Sequence, residues 1–151
     1  MTRQQRPPRD AFAVFRPLQT RWMDNDVYGH VNNVVYYSYF DTAVNGWYVE
    51  EGLLDVAGSP SIGLVVETSC AYFESVAFPD ALEVGISVAR LGTSSVTYAL
   101  GIFKVGAAEA AAAGRFTHVF VSRETSRPVP IPQEIRAALD RLSDAVPARS
   151  P

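Results

Sequence analysis

The stretch Asp24-Asn25-Asp26-Val27-Tyr28-Gly29-His30-Val31-Asn32-Asn33 lies between a strand-like segment and the only long helical segment of this 151-residue chain. Such a density of carboxylate, imidazole and amide groups serves no purpose in packing a core. Side chains at a strand-to-helix turn face the free N–H groups that begin the helix, where an anion is stabilised. A carboxylate beside such donors is what hydrolysis of an acyl carbonyl requires.

The composition predicts one cytoplasmic domain with a substantial core. Hydrophobic residues make up 48% of the chain, and no apolar run approaches the ~20 residues of a membrane span. No segment resembles a secretory leader. The single cysteine, Cys70, excludes an internal disulfide framework and a CxxC metal site. The net charge of −3 gives nucleic-acid binding no electrostatic support, so neither a nucleic-acid nor a membrane partner is expected.

Outward from the motif, residue periodicity predicts an α+β domain in which one helix is wrapped by a mainly antiparallel sheet. Asn32 or Asn33 is a good N-cap for the predicted helix, and Gly52 would end it. The apolar residues of the helix occur on almost all of its sides, which predicts that the helix is buried on several sides. We expect disordered or flexible tails at 1–11 and 144–151, which leaves a domain at 12–143. The predicted helices cover 33–51 and 133–142, and the predicted strands cover 12–22, 62–77, 82–89, 96–102 and 109–123.

The motif Asp24-x-Asp26-x-x-Gly29-His30-Val31-Asn32-Asn33-x-x-Tyr36 resembles the signature of the 4-hydroxybenzoyl-CoA thioesterase-like branch of the hotdog-fold acyl-CoA thioesterases. Residues 90–98 and 123–132 resemble the corresponding later segments of that family. The resemblance implies a single hotdog domain with a long helix in a curved sheet of about five strands. It also implies dimers with a continuous sheet, active sites at the dimer interface and, in many members, tetramers.

The resemblance implies hydrolysis of an acyl- or aryl-CoA thioester, with Asp26 as general base or nucleophile. The N–H groups of Asn32 and Asn33 would bind the carbonyl oxygen, and His30 would polarise the site, orient Asp26 or hold the pantetheine arm. Gly29 would allow a turn with positive φ, and Tyr36 could line the acyl pocket. The CoA phosphates would lie near the turn that carries Arg90, Ser94 and Ser95. No cofactor is implied.

The residues leave several alternatives open. Asp26 could merely cap the loop through an Asx-type bond, although Asp24 could supply that cap instead. A calcium loop is excluded, because Tyr28 and Val35 occupy positions that need oxygen ligands. No metal is expected; a site built from Asp24, Asp26 and His30 stays open as an alternative, but its spacing has no clear precedent. A hotdog hydratase is less favoured, since His30 follows Asp26 by four residues and not five. A non-catalytic acyl-CoA-binding module is the alternative from another functional class.

Overall fold

A five-stranded antiparallel sheet organises the chain. The computed structural model describes residues 5–144. The strands are β1 (Val14–Gln19), β2 (Ser61–Tyr72), β3 (Ala81–Leu91), β4 (Ser95–Lys104) and β5 (Ala112–Ser122), and the helices are α1 (Val35–Glu50) and α2 (Gln133–Asp144). The order of the strands across the sheet is β1-β3-β4-β5-β2. The long helix α1 packs on one face of the sheet, and this architecture confirms the predicted α+β hotdog arrangement.

Helix α1 buries one face and not several, so that part of the sequence prediction is wrong. Its buried residues follow the three-and-four spacing of a single helical face, while Ser38, Asp41 and Thr42 on the other side are exposed. This face and the apolar side of the sheet form the main core. The buried residues of α1 are Tyr36, Tyr39, Phe40, Ala43, Val44, Trp47 and Tyr48.

The helix begins at Val35, two residues later than predicted, because Asn32 builds a separate turn in front of it. The Asn32 side-chain oxygen accepts the N–H of Val34 at 3.0 Å, and its main-chain carbonyl accepts the N–H of Val35 at 2.9 Å. The N-cap is Val34, which makes no side-chain capping bond, so the predicted N-cap at Asn32 or Asn33 is wrong; Asn32 instead closes an Asx-type turn ahead of the helix.

Residues 5–11 pack against the face of the sheet opposite α1, which corrects the expectation of a disordered tail there. Arg6 Nε and Arg9 Nε donate to the carbonyls of Ala110 and Ala107 at 2.9 and 2.6 Å. Phe12 follows and lies so close to the sheet that a Cβ on Gly101 would come within 2.6 Å of its ring. Residues 1–4 and 145–151, which complete the two expected tails, lie outside the described residues.

The two edges of the sheet differ in length and exposure. Strand β1 has six residues and contains Pro17, which cannot donate to a further strand. Strand β2 has twelve residues, and its central run 64–69 is exposed. Within that run Leu64, Val65 and Val66 are 43%, 46% and 60% exposed. Among residues 5–144, no helix combines the length and apolarity needed to cross a membrane.

Candidate active site

An open cleft of about 420 Å³ lies between the motif and the C-terminal end of β2. It brings together four of the residues that the sequence predicted for the site: Asp26, His30, Asn33 and Tyr36. The rest of its wall comes from Tyr28 and Val31 of the motif and from the end of β2 and the residues after it, namely Tyr72, Phe73, Glu74 and Ser75.

The motif folds into a tight turn that fixes the Asp26 backbone. The N–H of Asp26 donates to the carbonyl of His30 at 2.9 Å, and the carbonyl of Asp26 accepts the N–H of Gly29 at 3.1 Å. Gly29 has φ +82°, which confirms the predicted need for glycine at this position. The N–H of Val31 donates to the carbonyl of Val76 at 2.8 Å and ties the turn to the segment after β2.

Asp26 uses one carboxylate oxygen to hold the turn and keeps the other available. Its Oδ1 accepts the N–H of Tyr28 at 2.8 Å, which is the Asx-type bond given above as the structural alternative for Asp26; Asp24 does not supply it. Within the described residues, Oδ2 accepts no hydrogen bond. The side chain is partly exposed at the cleft, where water reaches it. The cap and a catalytic role are therefore compatible.

Asp24 is buried and serves the structure of the loop. Its carboxylate accepts the N–H and the Nε–H of Arg21 at 2.9 and 3.0 Å, and the hydroxyl of Tyr39 at 2.6 Å. Burial alone would raise its pKa, but these charge-assisted bonds outweigh it and hold the pKa of Asp24 below the usual range. With Asp24 so engaged, the alternative of a metal site with Asp26 and His30 has no support. Among residues 5–144, no His, Cys, Asp or Glu cluster could hold a metal ion.

The two asparagines differ in their main-chain bonds. The N–H of Asn32 donates to the carbonyl of Asp24 at 3.0 Å, so it is not free to bind a substrate oxygen, and that part of the prediction is wrong. The N–H of Asn33 finds no acceptor within the described residues, and Asn33 lies on the cleft wall. It is one of the unpaired donors in front of α1, where the helix dipole also favours negative charge.

His30 is exposed on the cleft wall, and no hydrogen bond joins its imidazole to Asp26 in the described part of the chain. Its carbonyl, and not its ring, holds the Asp26 backbone. The ring can therefore contact a substrate, but in this structure it does not orient the carboxylate.

Tyr72 is a site residue that sequence reasoning missed. Its hydroxyl donates to the carbonyl of Asn33 at 2.8 Å, and its ring packs edge-on against Tyr36 with 4.9 Å between centroids. Burial raises the pKa of this hydroxyl, so it stays protonated and remains a donor at neutral pH. An aromatic residue at the end of an edge strand carries no sequence signal for this role.

Glu74 is the second carboxylate on the cleft wall, but both of its oxygens are engaged. Lys104 Nζ donates to Oε1 at 3.1 Å, and Arg6 Nη2 donates to Oε2 at 2.9 Å. These two cations hold the pKa of Glu74 below its usual range. Asp26 is thus the cleft carboxylate with an unengaged oxygen.

Arg90, Ser94 and Ser95 do not reach this cleft within one chain. Ser95 pairs with Val119, which pairs with Leu64, whereas the cleft begins at Tyr72. Eight residues of strand separate these positions, or ~26 Å along the sheet. The turn between β3 and β4 instead contacts α2, because Arg136 donates to the carbonyl of Gly92.

The sequence and the fold both match known proteins. The sequence model of the thioesterase-like superfamily matches residues 20–139. The crystal structure of the PA5185 protein from Pseudomonas aeruginosa strain PAO1 is similar, with 59% identity, coverage of 92% of this chain and 97% of that one, and a TM-score of 0.90. The PA2801 protein of Pseudomonas aeruginosa is 29% identical over 85% of this chain and 98% of its own, with a TM-score of 0.76.

A third structure shares the fold at lower identity. Slr0204, a 1,4-dihydroxy-2-naphthoyl-CoA thioesterase from Synechocystis, is 19% identical over 83% of this chain and 94% of its own, with a TM-score of 0.75. At that identity the likeness establishes the fold alone. The family match, in contrast, covers most of the chain and includes the motif and the cleft. The chain belongs to the thioesterase-like superfamily and is a thioester hydrolase of the hotdog fold.

Proposed function

We propose that this protein hydrolyses an acyl-CoA thioester in the Asp26 cleft, with Asp26 as general base or nucleophile and the N–H of Asn33 as the oxyanion donor. The observation that carries the proposal is the pairing of an unengaged carboxylate oxygen with an unpaired N–H on the walls of one cleft. Acyl transfer needs both groups, one to activate the attacking oxygen and one to stabilise the charge that develops.

In the general-base route, Asp26 Oδ2 takes a proton from water while the water oxygen bonds to the carbonyl carbon. The carbonyl oxygen becomes an oxyanion that accepts a hydrogen bond from the Asn33 N–H. The C–S bond then breaks, the sulfur leaves with a proton returned from Asp26, and the free acid remains. In the nucleophilic route, Oδ2 attacks the carbon itself, the C–S bond breaks, and the CoA thiolate leaves and takes a proton from solvent. Water then hydrolyses the resulting anhydride to the free acid and the Asp26 carboxylate.

We also propose that the β2 edge pairs with the β2 edge of a second copy. A long, exposed edge strand presents unpaired N–H and C=O groups, and folded proteins rarely leave such an edge uncovered. Antiparallel pairing of a strand with its own copy satisfies both edges through one two-fold axis. This would place each cleft beside the interface. It would also bring Arg90, Ser94 and Ser95 of one copy toward the cleft of the other, where they could serve the CoA phosphates.

The test is release of free thiol from a panel of aryl- and alkyl-CoA esters by the wild type, Asp26→Asn and Glu74→Gln. We expect Asp26→Asn to lower kcat by about 10²–10⁴-fold, the usual contribution of a positioned base. Glu74→Gln is the matched control, because it removes the other cleft carboxylate and should leave most of the turnover.

Three results would contradict the proposal. Full activity of Asp26→Asn would remove Asp26 from the mechanism, and a larger loss in Glu74→Gln would transfer its role to Glu74. Thermal stabilisation of the wild type by CoA esters without any thiol release would make the chain an acyl-CoA-binding module.

A further inference from the structure

A second cavity lies on the face of the sheet opposite α1. Its volume is about 380 Å³, close to that of the Asp26 cleft. Residues 5–12, which precede β1, contribute one wall, and strands β2, β4 and β5 contribute the floor. The mechanism proposed above uses none of the residues that line this cavity.

Small side chains leave the floor of this cavity open. Ala71 on β2 pairs with Ala113 on β5, and Ala113 pairs with Gly101 on β4, so a row across three strands has almost no side-chain volume. Phe12 covers the Gly101 end of this row, where a Cβ would lie 2.6 Å from its ring. The two alanines at the other end remain partly exposed. A flat ring can therefore lie on them with the edge of Phe12 beside it.

An arginine without a partner lies beside this floor. Arg115 follows Ala113 by two residues on β5, so both side chains lie on the same face of the sheet. The Arg115 side chain is exposed, and it makes no hydrogen bond or ion pair within residues 5–144. Glu67 lies on this face of β2 but does not pair with it. The guanidinium can therefore hold a carboxylate or a phosphate through two parallel N–H bonds.

Three further polar residues line the cavity, and two of them can assist the arginine. Ser69 is the direct partner of Arg115 across β2 and β5, which sets their Cβ atoms ~5 Å apart. The Ser69 hydroxyl makes no hydrogen bond within the described residues, so it can donate to the same anion. Gln5 adds an amide at the wall. Cys70 lies between Ser69 and Ala71, and its side chain packs with the core on the α1 side instead.

The floor and the arginine together define the chemistry of the ligand. A small inorganic anion would pair with Arg115 but would leave the alanine floor and the edge of Phe12 exposed to water. A neutral ring would cover that apolar surface but would offer no acceptor of matching charge to the guanidinium. A planar aromatic group that bears an anion does both. Aromatic carboxylates and nucleoside phosphates share this chemistry.

We propose that this cavity is a binding site for a planar aromatic group that carries one carboxylate or phosphate. Arg115 and Ser69 hold the anion, and the two alanines of the floor carry the ring. The site is distinct from the Asp26 cleft, since the two lie on opposite faces of the sheet. The inference therefore goes beyond the hydrolysis proposed above and does not depend on it.

Isothermal titration calorimetry tests the site with two anionic probes, indole-3-carboxylate and adenosine 5′-monophosphate, and with their neutral counterparts, indole-3-carboxamide and adenosine. We expect at least one anionic probe to bind about 10–100-fold more tightly than its counterpart, as a charge-assisted hydrogen bond allows. The tighter of the two distinguishes an aromatic acid from a nucleotide. Arg115→Gln should remove the difference, and Arg127→Gln, the matched control at an exposed arginine outside the cavity, should keep it. Equal binding of charged and neutral probes, or an unchanged difference in Arg115→Gln, would overturn the proposal.

Nuclear magnetic resonance spectra show where the probe binds. The ring current of a bound probe should shift the ¹³C-methyl resonances of Ala71 and Ala113, which Ala71→Ser and Ala113→Ser assign. Shifts at the ¹⁵N-labelled amides of Gly29 and Asn33 instead would place the probe in the Asp26 cleft and overturn the site. Failure of every probe to bind would also overturn it, and a self-association that Ala113→Arg abolishes would then assign this face to a second copy.

Discussion

The two ends of strand β2 place polar groups in opposite environments. At the Tyr72 end, the Asp26 carboxylate faces an open cleft, and the buried charge nearby, Asp24, is bonded to Arg21 and Tyr39. At the Gly63 end, His118 is enclosed by aromatic rings, and its Nδ1 has no partner.

The difference shows how one strand can border both an open site and a closed core. A carboxylate on the wall of an open cleft can meet both water and a reactive thioester. A buried imidazole stays neutral, because burial disfavours its charged form, and its unpaired nitrogen carries the free-energy cost of a missing hydrogen bond. The open Tyr72 end therefore admits water and charge, whereas the closed Gly63 end excludes both, and the following changes would break or sharpen that division.

After Asp26→Asn, the largest expected effect is also at the open Tyr72 end, where Asn33→Pro removes the proposed oxyanion donor. One fixed donor contributes about 3–4 kcal/mol to the barrier, so kcat should fall by several hundred-fold. Asn33→Ala is the matched control, since it keeps the N–H and should retain most activity. Thiol-release kinetics measure both, and circular dichroism checks that both fold. Equal losses in the two variants would show that the side chain, and not the N–H, is needed.

The next effect tests the closed end through the pH dependence of stability. The folded pKa of His118 is about 4, and its unfolded value is near 6.5, so the unfolded chain binds a proton that the folded chain does not. The contribution of His118 to the free energy of unfolding is fully present above pH ~6.5. It is lost as the pH falls from there toward 4, and the total loss is about 3 kcal/mol. Urea unfolding at pH 7.5 and 4.5 should show a loss that His118→Phe largely lacks. Parallel losses in both proteins would mean that His118 is not buried as a neutral ring.

The sequence predicted the fold, and it predicted which motif residues share the cleft at the Tyr72 end of β2, because both depend on local patterns. Alternation of apolar residues identified β3 and β4, and the crowded polar motif located Asp26 and Asn33 on the cleft. Boundaries were less accurate. Strand β2 ends at Tyr72, five residues early, because the N–H groups of Phe73 and Glu74 both turn to the carbonyl of Ala111.

The sequence could not reveal contacts between distant segments. Tyr72 reaches Asn33 across 39 positions, and Gly63 meets His118 only because β2 pairs with β5. The expectation of a disordered tail was wrong for the same reason. Arg6 and Arg9 look like solvated charges until Glu83 of β3 and the connection between β4 and β5 supply their acceptors. The resemblance placed Arg90, Ser94 and Ser95 near the CoA phosphates of an active site at a dimer interface. Within one chain the length of the sheet separates them from the cleft, so their role stays a prediction.

A smaller effect is expected from Asp24→Asn, which removes the buried carboxylate that is bonded to Arg21 and Tyr39 near the Tyr72 end of β2. The buried bond from the Tyr39 hydroxyl loses its charge assistance, at a cost of about 1.5–3 kcal/mol in unfolding free energy. Because the folded pKa of Asp24 is lowered, its stabilisation is present above its unfolded pKa and is lost as pH falls through the folded value. Urea titrations should therefore show a difference from wild type at pH 7 that shrinks near pH 3. A constant difference would mean that the carboxylate charge plays no part.

The smallest effect tests whether Tyr72 positions the oxyanion donor. Tyr72→Phe removes one hydrogen bond to the Asn33 carbonyl and keeps the ring against Tyr36, so we expect a loss of about 1 kcal/mol in transition-state stabilisation. That corresponds to a decrease of about fivefold in kcat with little change in KM, because the thioester oxygen becomes an oxyanion only in the transition state. Tyr36→Phe is the control, since the same chemical change is made in the neighbouring ring without touching the Asn33 contact. A rise in KM alone for Tyr72→Phe would make Tyr72 a substrate contact. The Tyr72 end of β2 would then contribute to substrate binding as well as to the chemical step.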